Sequence, residues 1–229
     1  MKKVKRYKHI VLDSSYSESV PFKPVRSGFR KRIPERDRKS HGEKLVKQFH
    51  FAWEEATKRD EERKAIALPT KEGIYLEIEG LFDYDLELQK LEDRRCGIKL
   101  LNVRQQKVEE RTKELASIFI PNGKESCFLK KIREYLEEET KKGIPRNNDL
   151  IAKIENIRLA VVESFWQDSK DLLPKKDKVW CEIWIWFEEE KKKATIENFK
   201  GLLRSLKIEF KDKILYFPEV AVILAKCNL

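Results

Sequence analysis

The first regular pattern along the chain is a recurrence of apolar residues at steps of three and four. These residues are Leu45, Phe49, Ala52, Trp53 and Ala56. The spacing puts them on one face of a helix, which we predict over residues 40–68. Ser40 is its expected N-cap, Glu43 completes a capping box and Pro69 ends the helix. Residues 1–39 lack a sustained period and are predicted to be a basic, extended arm.

A period of two replaces the helical period at residue 73. In GIYLEIEG, residues 73–80, apolar and polar side chains alternate, which predicts a half-buried strand. A helix (FDYDLELQKLEDRR), two strands (GIKLLNVRQQ and ELASIFIP) and a helix ending at Gly143 follow. The apolar face of that last helix consists of Phe128, Leu129, Ile132, Tyr135 and Leu136.

A final strand would complete a βαββαβ order. Residues 157–166, IRLAVVESFW, are the candidate, although the helical period of DLIAKIEN before them also permits one helix that runs through Trp166. With this strand, residues 69–170 are predicted to form a ferredoxin-like unit.

The same order starts again after a linker at residues 171–178. A strand (VWCEIWIWF), a helix (TIENFKGLLRSL) and two further strands (KIEFKDKILYF and EVAVILAK) follow. The predicted fold class is therefore α+β, with tandem ferredoxin-like units of which the second, residues 179–229, is incomplete. Since an apolar strand makes a poor domain end, we expect the front part of a longer protein or a truncated product.

The strand VWCEIWIWF is apolar on both faces. Trp180, Trp184 and Trp186 share one face with Glu182, whereas Cys181, Ile183, Ile185 and Phe187 share the other. Such a strand is buried on both sides or forms an interface. Three interpretations remain open: the neighbouring unit covers the tryptophans, another domain docks on them, or single-stranded bases stack on them.

The net charge of +10 is concentrated at the N-terminus. Residues 1–50 hold 15 Lys and Arg against 5 Asp and Glu, and residues 51–229 hold 35 of each. The arm is either a solvated tail or a contact for nucleic acid or an acidic partner. The candidate contacts are Arg30, Arg32, Arg36 and Arg38.

Catalytic chemistry is not indicated. His41 precedes Gly42, as the catalytic histidine of subtilisin-like proteases precedes a glycine, but no matching aspartate or serine context follows. The chain lacks glycine-rich phosphate loops and CxxC spacings, so no catalytic, cofactor or metal residue is predicted. The four separated cysteines argue against a disulfide framework.

The lengths of the apolar segments predict where in the cell the protein is found. No apolar run is long enough to span a bilayer, so no membrane partner is expected. The N-terminal Ile10, Val11 and Leu12 are too few for a secretory signal, which predicts a cytoplasmic protein.

Several longer stretches carry a resemblance. In order they are IPERDRKSHGEKL, QFHFAWEEA, LPTKEGIYLEIEG, LEDRRCGIKLLNVR, FIPNGKESCFLKKIREYL, ENIRLAVVESFWQDSKDLLP and VWCEIWIW. Over residues 33–225 the chain resembles the N-terminal region of large bacterial subtilisin-like serine peptidases found in two-gene phage-defence systems beside an AAA-type ATPase. The resemblance implies a following peptidase domain with an Asp-His-Ser triad. None of that domain is present in the sequence, so no catalytic residue is transferred.

The resemblance also implies a role. Subtilisin-like peptidases generally carry a ferredoxin-like prosegment that assists folding and blocks the active-site cleft. We therefore predict a non-catalytic, prosegment-like inhibitory or interaction module, whose partners are the peptidase domain, in cis or in trans, and the AAA-type ATPase. One alternative is an RNA-binding protein with tandem ferredoxin-like units, as in CRISPR RNA-processing proteins, although the last glycine, Gly201, leaves no C-terminal glycine-rich loop. The other is a truncated remnant.

Overall fold

The computed structural model of the protein describes residues 33–65, 72–168 and 170–228. In chain order the elements are α1 (Arg38–Ala65), β1 (Gly73–Gly80), α2 (Leu88–Leu91), β2 (Lys99–Val108), β3 (Arg111–Pro121), α3 (Glu125–Glu137), α4 (Asn148–Ile151), β4 (Ile154–Leu159), β5 (Val179–Trp186), α5 (Lys192–Ser205), β6 (Glu209–Phe210), β7 (Leu215–Tyr216) and β8 (Val220–Cys227). Most of the predicted arm, with Arg30 and Arg32, and the predicted helix end at 66–68 lie outside the described residues.

The first sheet has the strand order β2-β3-β1-β4, and every neighbouring pair is antiparallel. This is the order of a ferredoxin-like unit, so the predicted α+β, ferredoxin-like class is confirmed. The alternation in β1 places Ile74, Leu76 and Ile78 in the hydrophobic core. Phe49 of α1 and Phe128 of α3 pack in the same core with their rings stacked, so both helices cover one face of this sheet.

Between β1 and β2 the predicted helix is wrong except for the single turn of α2. The backbone N–H groups of Leu81 and Asp83 donate to the carbonyls of Lys153 and Thr112, at 2.8 and 2.7 Å, which holds this segment outside a helical path. Asp83 also has a left-handed conformation, with a φ of 66°. The long helix α1 supplies the helical cover instead.

The start of α1 differs from the prediction. The backbone N–H of Ser40 donates to Oδ1 of Asp37 at 2.7 Å, so Asp37 is the N-cap and the helix begins at Arg38. Further along this first turn, Gly42 lies against α3. A Cβ at Gly42 would be 2.4 Å from a methyl group of Leu136, which explains the need for glycine at this helix contact.

Helix α3 ends at Glu137, six residues before the predicted Gly143. The Arg38 side chain donates to the carbonyls of Tyr135 and, at 2.9 Å, Glu138, and so satisfies groups that a helix end leaves unpaired. Gly143 instead occupies a tight turn with a φ of 71°.

Residues 157–166 contain both kinds of structure. The strand β4 begins earlier than predicted, at Ile154, and ends at Leu159, and a single 3₁₀ turn follows over Val162–Phe165. Only the short α4 remains of the helix predicted in DLIAKIEN.

The second sheet has the order β5-β8-β6, and β7 also pairs with β8. The predicted strand KIEFKDKILYF is divided into β6 and β7, which pair with opposite ends of β8. Helix α5 covers one face through Ile196 and Leu203, which pack with Phe187, Ala221 and Ile223. This unit thus has the βαββ order predicted for it.

One expectation about the cysteines is wrong. Cys96 and Cys127 form a disulfide, with their Cα atoms 6.5 Å apart. The fold brings the loop before β2 against the start of α3, and the sequence gives no signal of this proximity across a separation of 31 positions.

Candidate interaction surface

The three predicted tryptophans share the side of the second sheet that α5 leaves uncovered. Trp180, Trp184 and Trp186 are 40, 62 and 43% exposed. Leu224 lies opposite Glu182 on β8, on the same side, and Phe217 stacks on Trp184 with ring centroids 5.8 Å apart. We call these five apolar residues the tryptophan face. The first unit places the Lys99 side chain over Trp186 but leaves all three tryptophans at least 40% exposed, so the interpretation that the neighbouring unit covers the tryptophans is wrong.

Each indole ring is held by a neighbour. The Lys99 ammonium lies 3.7 Å from the centroid of Trp186, and the Lys211 ammonium lies 4.5 Å from that of Trp180. The Trp184 indole Nε1–H donates to Oε2 of Glu182 at 3.2 Å. These contacts fix the ring orientations, which reduces the entropy lost when another molecule packs on the face.

Lys99 also connects the two sheets. It belongs to β2, and its ammonium forms an ion pair with Glu188, just after β5, at 3.1 Å. Hydrogen bonds from Lys99 and Lys191 lower the pKa of the Glu188 carboxyl, so this carboxylate remains charged at neutral pH.

The outer edge of β5 is open. Among the described residues, β5 pairs with β8 alone. The N–H of Phe187 donates to the Glu219 carbonyl at 3.0 Å, on the β8 side. Hydrogen bonds alternate along an antiparallel pair, so the odd-numbered residues of β5 face β8. The backbone groups of Trp180, Glu182, Trp184 and Trp186 therefore point to the open edge.

The predicted arginine contacts that the structure describes serve the fold. The Arg36 side chain donates to the Ala152 carbonyl at 2.8 Å and to Glu155 at 2.6 Å. Arg38 forms its two bonds at the end of α3 and a third, to Glu139, at 2.8 Å. Both guanidinium groups hold the start of α1 on the first unit, and we do not propose them as partner contacts.

His41 is a core residue. It is 6% exposed, and its Nε2 lies 2.8 Å from the Ile154 carbonyl, so Nε2 carries the proton. Burial, with the nearby Arg36 and Lys44, lowers its pKa against the opposing effects of Ile154 and Glu155. Tyr135 contacts the imidazole edge-on. This arrangement positions α1 and offers no nucleophile to the histidine.

Of the two free cysteines, Cys181 is a poor nucleophile. Cys181 and Cys227 lie near each other on β5 and β8, and both are partly buried. Burial, together with a hydrogen bond and the charge of Cys227, raises the pKa of Cys181 to about 11. A thiol with this pKa remains protonated at neutral pH and does not attack a substrate.

The sequence analysis missed a charged network on the face of the first sheet opposite its helices. Glu77, in β1, is 1% exposed and accepts hydrogen bonds from Arg104 and Arg158. Burial alone would raise the pKa of Glu77, but bonds from Arg158 and Ser164 and the charges of both arginines lower it. In the sequence, Glu77 is one acidic residue among the polar positions of an alternating strand. That pattern does not show that this glutamate is buried.

The described residues were compared with the requirements of a metal site and of a membrane span. They contain no group of three or more His, Cys, Asp or Glu residues placed to hold a metal ion. None of their helices combines the length and apolar character that crossing a membrane requires.

No protein-family model matches the chain, and no curated protein matches it.

Proposed function

We propose that this chain is a non-catalytic interaction module that docks on a subtilisin-like serine peptidase domain and restrains it, as a prosegment does. The observation that carries the proposal is the tryptophan face, an exposed apolar surface on a sheet whose other side is already covered by α5. Contiguous exposed apolar surface of this kind marks interaction sites. Tryptophans are also the residues most enriched among those that dominate binding energy.

The chemistry of the face favours a folded protein as partner. Its apolar area is contributed by rings whose orientations are fixed by Lys99, Lys211 and Phe217. Glu182 lies among the rings and accepts the Trp184 hydrogen bond, and the two ammonium groups lie over the outer rings. A rigid apolar surface with a few fixed polar groups fits a complementary protein surface from which water is excluded.

Regulation follows from the resemblance. In this proposal the AAA-type ATPase of the two-gene phage-defence systems releases the restraint on the peptidase, in the cytoplasm. The module holds the enzyme inactive until that release.

A titration tests the docking. The chain is added to a subtilisin-like peptidase domain whose own N-terminal region carries the motifs quoted above, and cleavage of a fluorogenic peptide is measured. We expect inhibition, weakened at least about tenfold by Trp184→Ala because a buried interface tryptophan contributes most of its ring area. Phe51→Ala, at a 68% exposed aromatic of α1, is the matched control and leaves inhibition unchanged. Equal inhibition by all three proteins, or none by any, contradicts the proposal.

The cations beside the rings favour RNA binding as a second candidate. Lys99 and Lys211 place ammonium groups over Trp186 and Trp180, and aromatic rings with adjacent cations stack single-stranded bases. This candidate predicts quenching of tryptophan fluorescence by a single-stranded oligonucleotide, with an affinity that falls steeply as salt rises. Salt-independent or absent quenching excludes it.

A further inference from the structure

The first strands of the two units are equivalent. Without β4, the first sheet has the order β2-β3-β1, and the second sheet has the order β6-β8-β5, so β5 corresponds to β1. Their sequences agree at this position: Tyr75-Leu76-Glu77-Ile78 in β1 and Trp180-Cys181-Glu182-Ile183 in β5. In each strand the glutamate lies on the face away from the helices.

The first sheet shows what belongs beside such a strand. Strand β4 pairs antiparallel with β1 along its outer edge, and Arg158 lies directly opposite Glu77. The Arg158 Nε donates to Glu77 at 2.8 Å. Leu159 and Ile157 lie opposite Leu76 and Ile78, so the added strand has an apolar-basic-apolar pattern.

The equivalent position beside β5 holds no strand among the described residues. The backbone N–H and C=O groups at its open edge are those of Trp180, Glu182, Trp184 and Trp186. The carboxylate of Glu182 accepts the indole hydrogen bond of Trp184 and has no cation opposite it on β8, where its partner is Leu224. The edge therefore offers both a hydrogen-bonding template and a carboxylate that forms no ion pair among the described residues.

We propose that an extended segment of a partner protein adds to this edge as a strand antiparallel to β5. It places a lysine or arginine opposite Glu182 and apolar side chains on either side of that residue. The backbone bonds supply affinity, and the basic residue sets the register. This inference rests on the proposed docking function and adds to it the chemistry of the segment that binds.

A second copy of this chain fits the edge less well. Two β5 strands paired antiparallel about a two-fold axis through Ile183 place Glu182 opposite Trp184 of the other copy. An axis through Glu182 places the two carboxylates opposite each other. Neither of these central registers supplies a cation. An axis through Trp180 brings Lys178 of the other copy opposite Glu182, but it pairs the second half of β5 with residues 174–177, which precede the strand. The equivalent glutamate of β1 has its cation, Arg158, within a fully paired strand.

The test uses a capped, fluorescein-labelled peptide with the β4 sequence Ile-Glu-Asn-Ile-Arg-Leu, at concentrations up to about 1 mM, enough to detect weak strand addition. Binding is followed by anisotropy, and amide hydrogen exchange locates it. We expect slowed exchange at Trp180, Glu182, Trp184 and Trp186. Glu182→Lys weakens binding about tenfold, because an opposed charge pair becomes a like-charge pair.

A charge swap provides the matched control. A peptide with glutamate in place of its arginine binds Glu182→Lys more tightly than it binds the natural protein. Glu197→Lys, which makes the same change of charge on an exposed position of α5, leaves binding of the original peptide unchanged. Absence of binding, binding insensitive to the swap, or unchanged exchange at the four amides overturns the inference.

Two outcomes separate this inference from the proposed function. Self-association of the free protein with the same four amides protected identifies a second copy as the occupant and overturns the inference alone. Charge-dependent peptide binding by a chain that fails to inhibit the peptidase overturns the proposed function while the edge site stands.

Discussion

The two sheets begin with the same short strand motif and finish it differently. In the first, β4 covers the edge of β1 and Arg158 neutralises Glu77, which is almost fully buried. In the second, no strand of the described residues pairs with the outer edge of β5, Glu182 is exposed and three tryptophans lie on the face away from α5. The first sheet thus has a strand, a 3₁₀ turn and two arginines around its glutamate, whereas in the second sheet only Trp184, among the described residues, forms a hydrogen bond with Glu182. Cover of this kind makes a half-apolar sheet face structural, and its absence leaves a surface for binding.

Replacing each of the two equivalent glutamates is expected to give the largest difference in stability between the two units. Glu77→Ala leaves Arg104 and Arg158 without their shared carboxylate, and we expect it to lower the free energy of unfolding by about 3–5 kcal/mol. Glu182→Ala, at the exposed counterpart, changes it by less than about 0.5 kcal/mol. Urea unfolding followed by circular dichroism measures both. Equal effects would show that β4 does not distinguish the two sites.

The disulfide belongs to the first unit only. Reducing Cys96–Cys127 frees a loop of 31 residues in the unfolded chain, and we expect a loss of about 3–4 kcal/mol in stability. The measurement is urea unfolding with and without a reductant.

Cysteine variants control this result. Cys127→Ser makes stability insensitive to the reductant, whereas Cys227→Ser, at a free cysteine of the second unit, keeps the sensitivity. A natural protein whose stability ignores the reductant contradicts the prediction.

Gly42 and Gly201 both lie in helices, but only Gly42 is tightly packed against a neighbouring side chain. Gly42→Ala drives a methyl group into Leu136 at the contact between α1 and α3, and we expect a loss of about 1–3 kcal/mol. Gly201→Ala in α5 meets nothing within 4 Å and gains about 0.5–1 kcal/mol from helix propensity. Thermal unfolding of the two variants should therefore shift in opposite directions. Shifts of the unfolding temperature in the same direction would contradict this prediction.

The buried histidine makes the first unit sensitive to acid. The folded pKa of His41 is lowered, so below the unfolded value of 6.5 the unfolded chain binds a proton that the folded chain does not. Stability is full above pH 6.5 and falls as pH decreases towards the folded pKa, with a slope of at most about 1.4 kcal/mol per pH unit.

Unfolding measured from pH 8 down to about 5, above the range in which carboxylates titrate, tests this slope. His41→Gln should flatten it, and His50→Gln, at an exposed position of α1, should preserve it. An unchanged slope in His41→Gln would assign the acid sensitivity to other groups.

Local patterns account for the parts of the fold that were predicted well. The alternation in β1 and β5 and the apolar stripes of α1, α3 and α5 depend on neighbours a few residues away, so they are readable in the sequence. The grouping of Trp180, Trp184 and Trp186 on one side of β5 follows from the same alternation. Their exposure could be established only from the strand order of the second sheet and the position of α5 on its other side.

Contacts between distant residues could not be predicted from the sequence. The intramolecular partners of Arg36 and Arg38, the carbonyls of Ala152 and Tyr135, lie 116 and 97 residues away. The disulfide and the lost crossover helix have the same origin, whereas the Asp37 cap in place of Ser40 is a local alternative three residues away. In each case tertiary packing or a local alternative outweighed the propensity that the sequence displayed.

The sequence alone determined which residues share a face, where the two units begin to repeat, and that the basic surplus lies in the first 50 residues. The burial of Glu77, the pairing of Cys96 with Cys127 and the lack of a described strand beside β5 depend on the tertiary structure. The physical reason is that periodicity is a property of a single element, whereas burial, pairing and charge neutralisation are properties of two elements that meet.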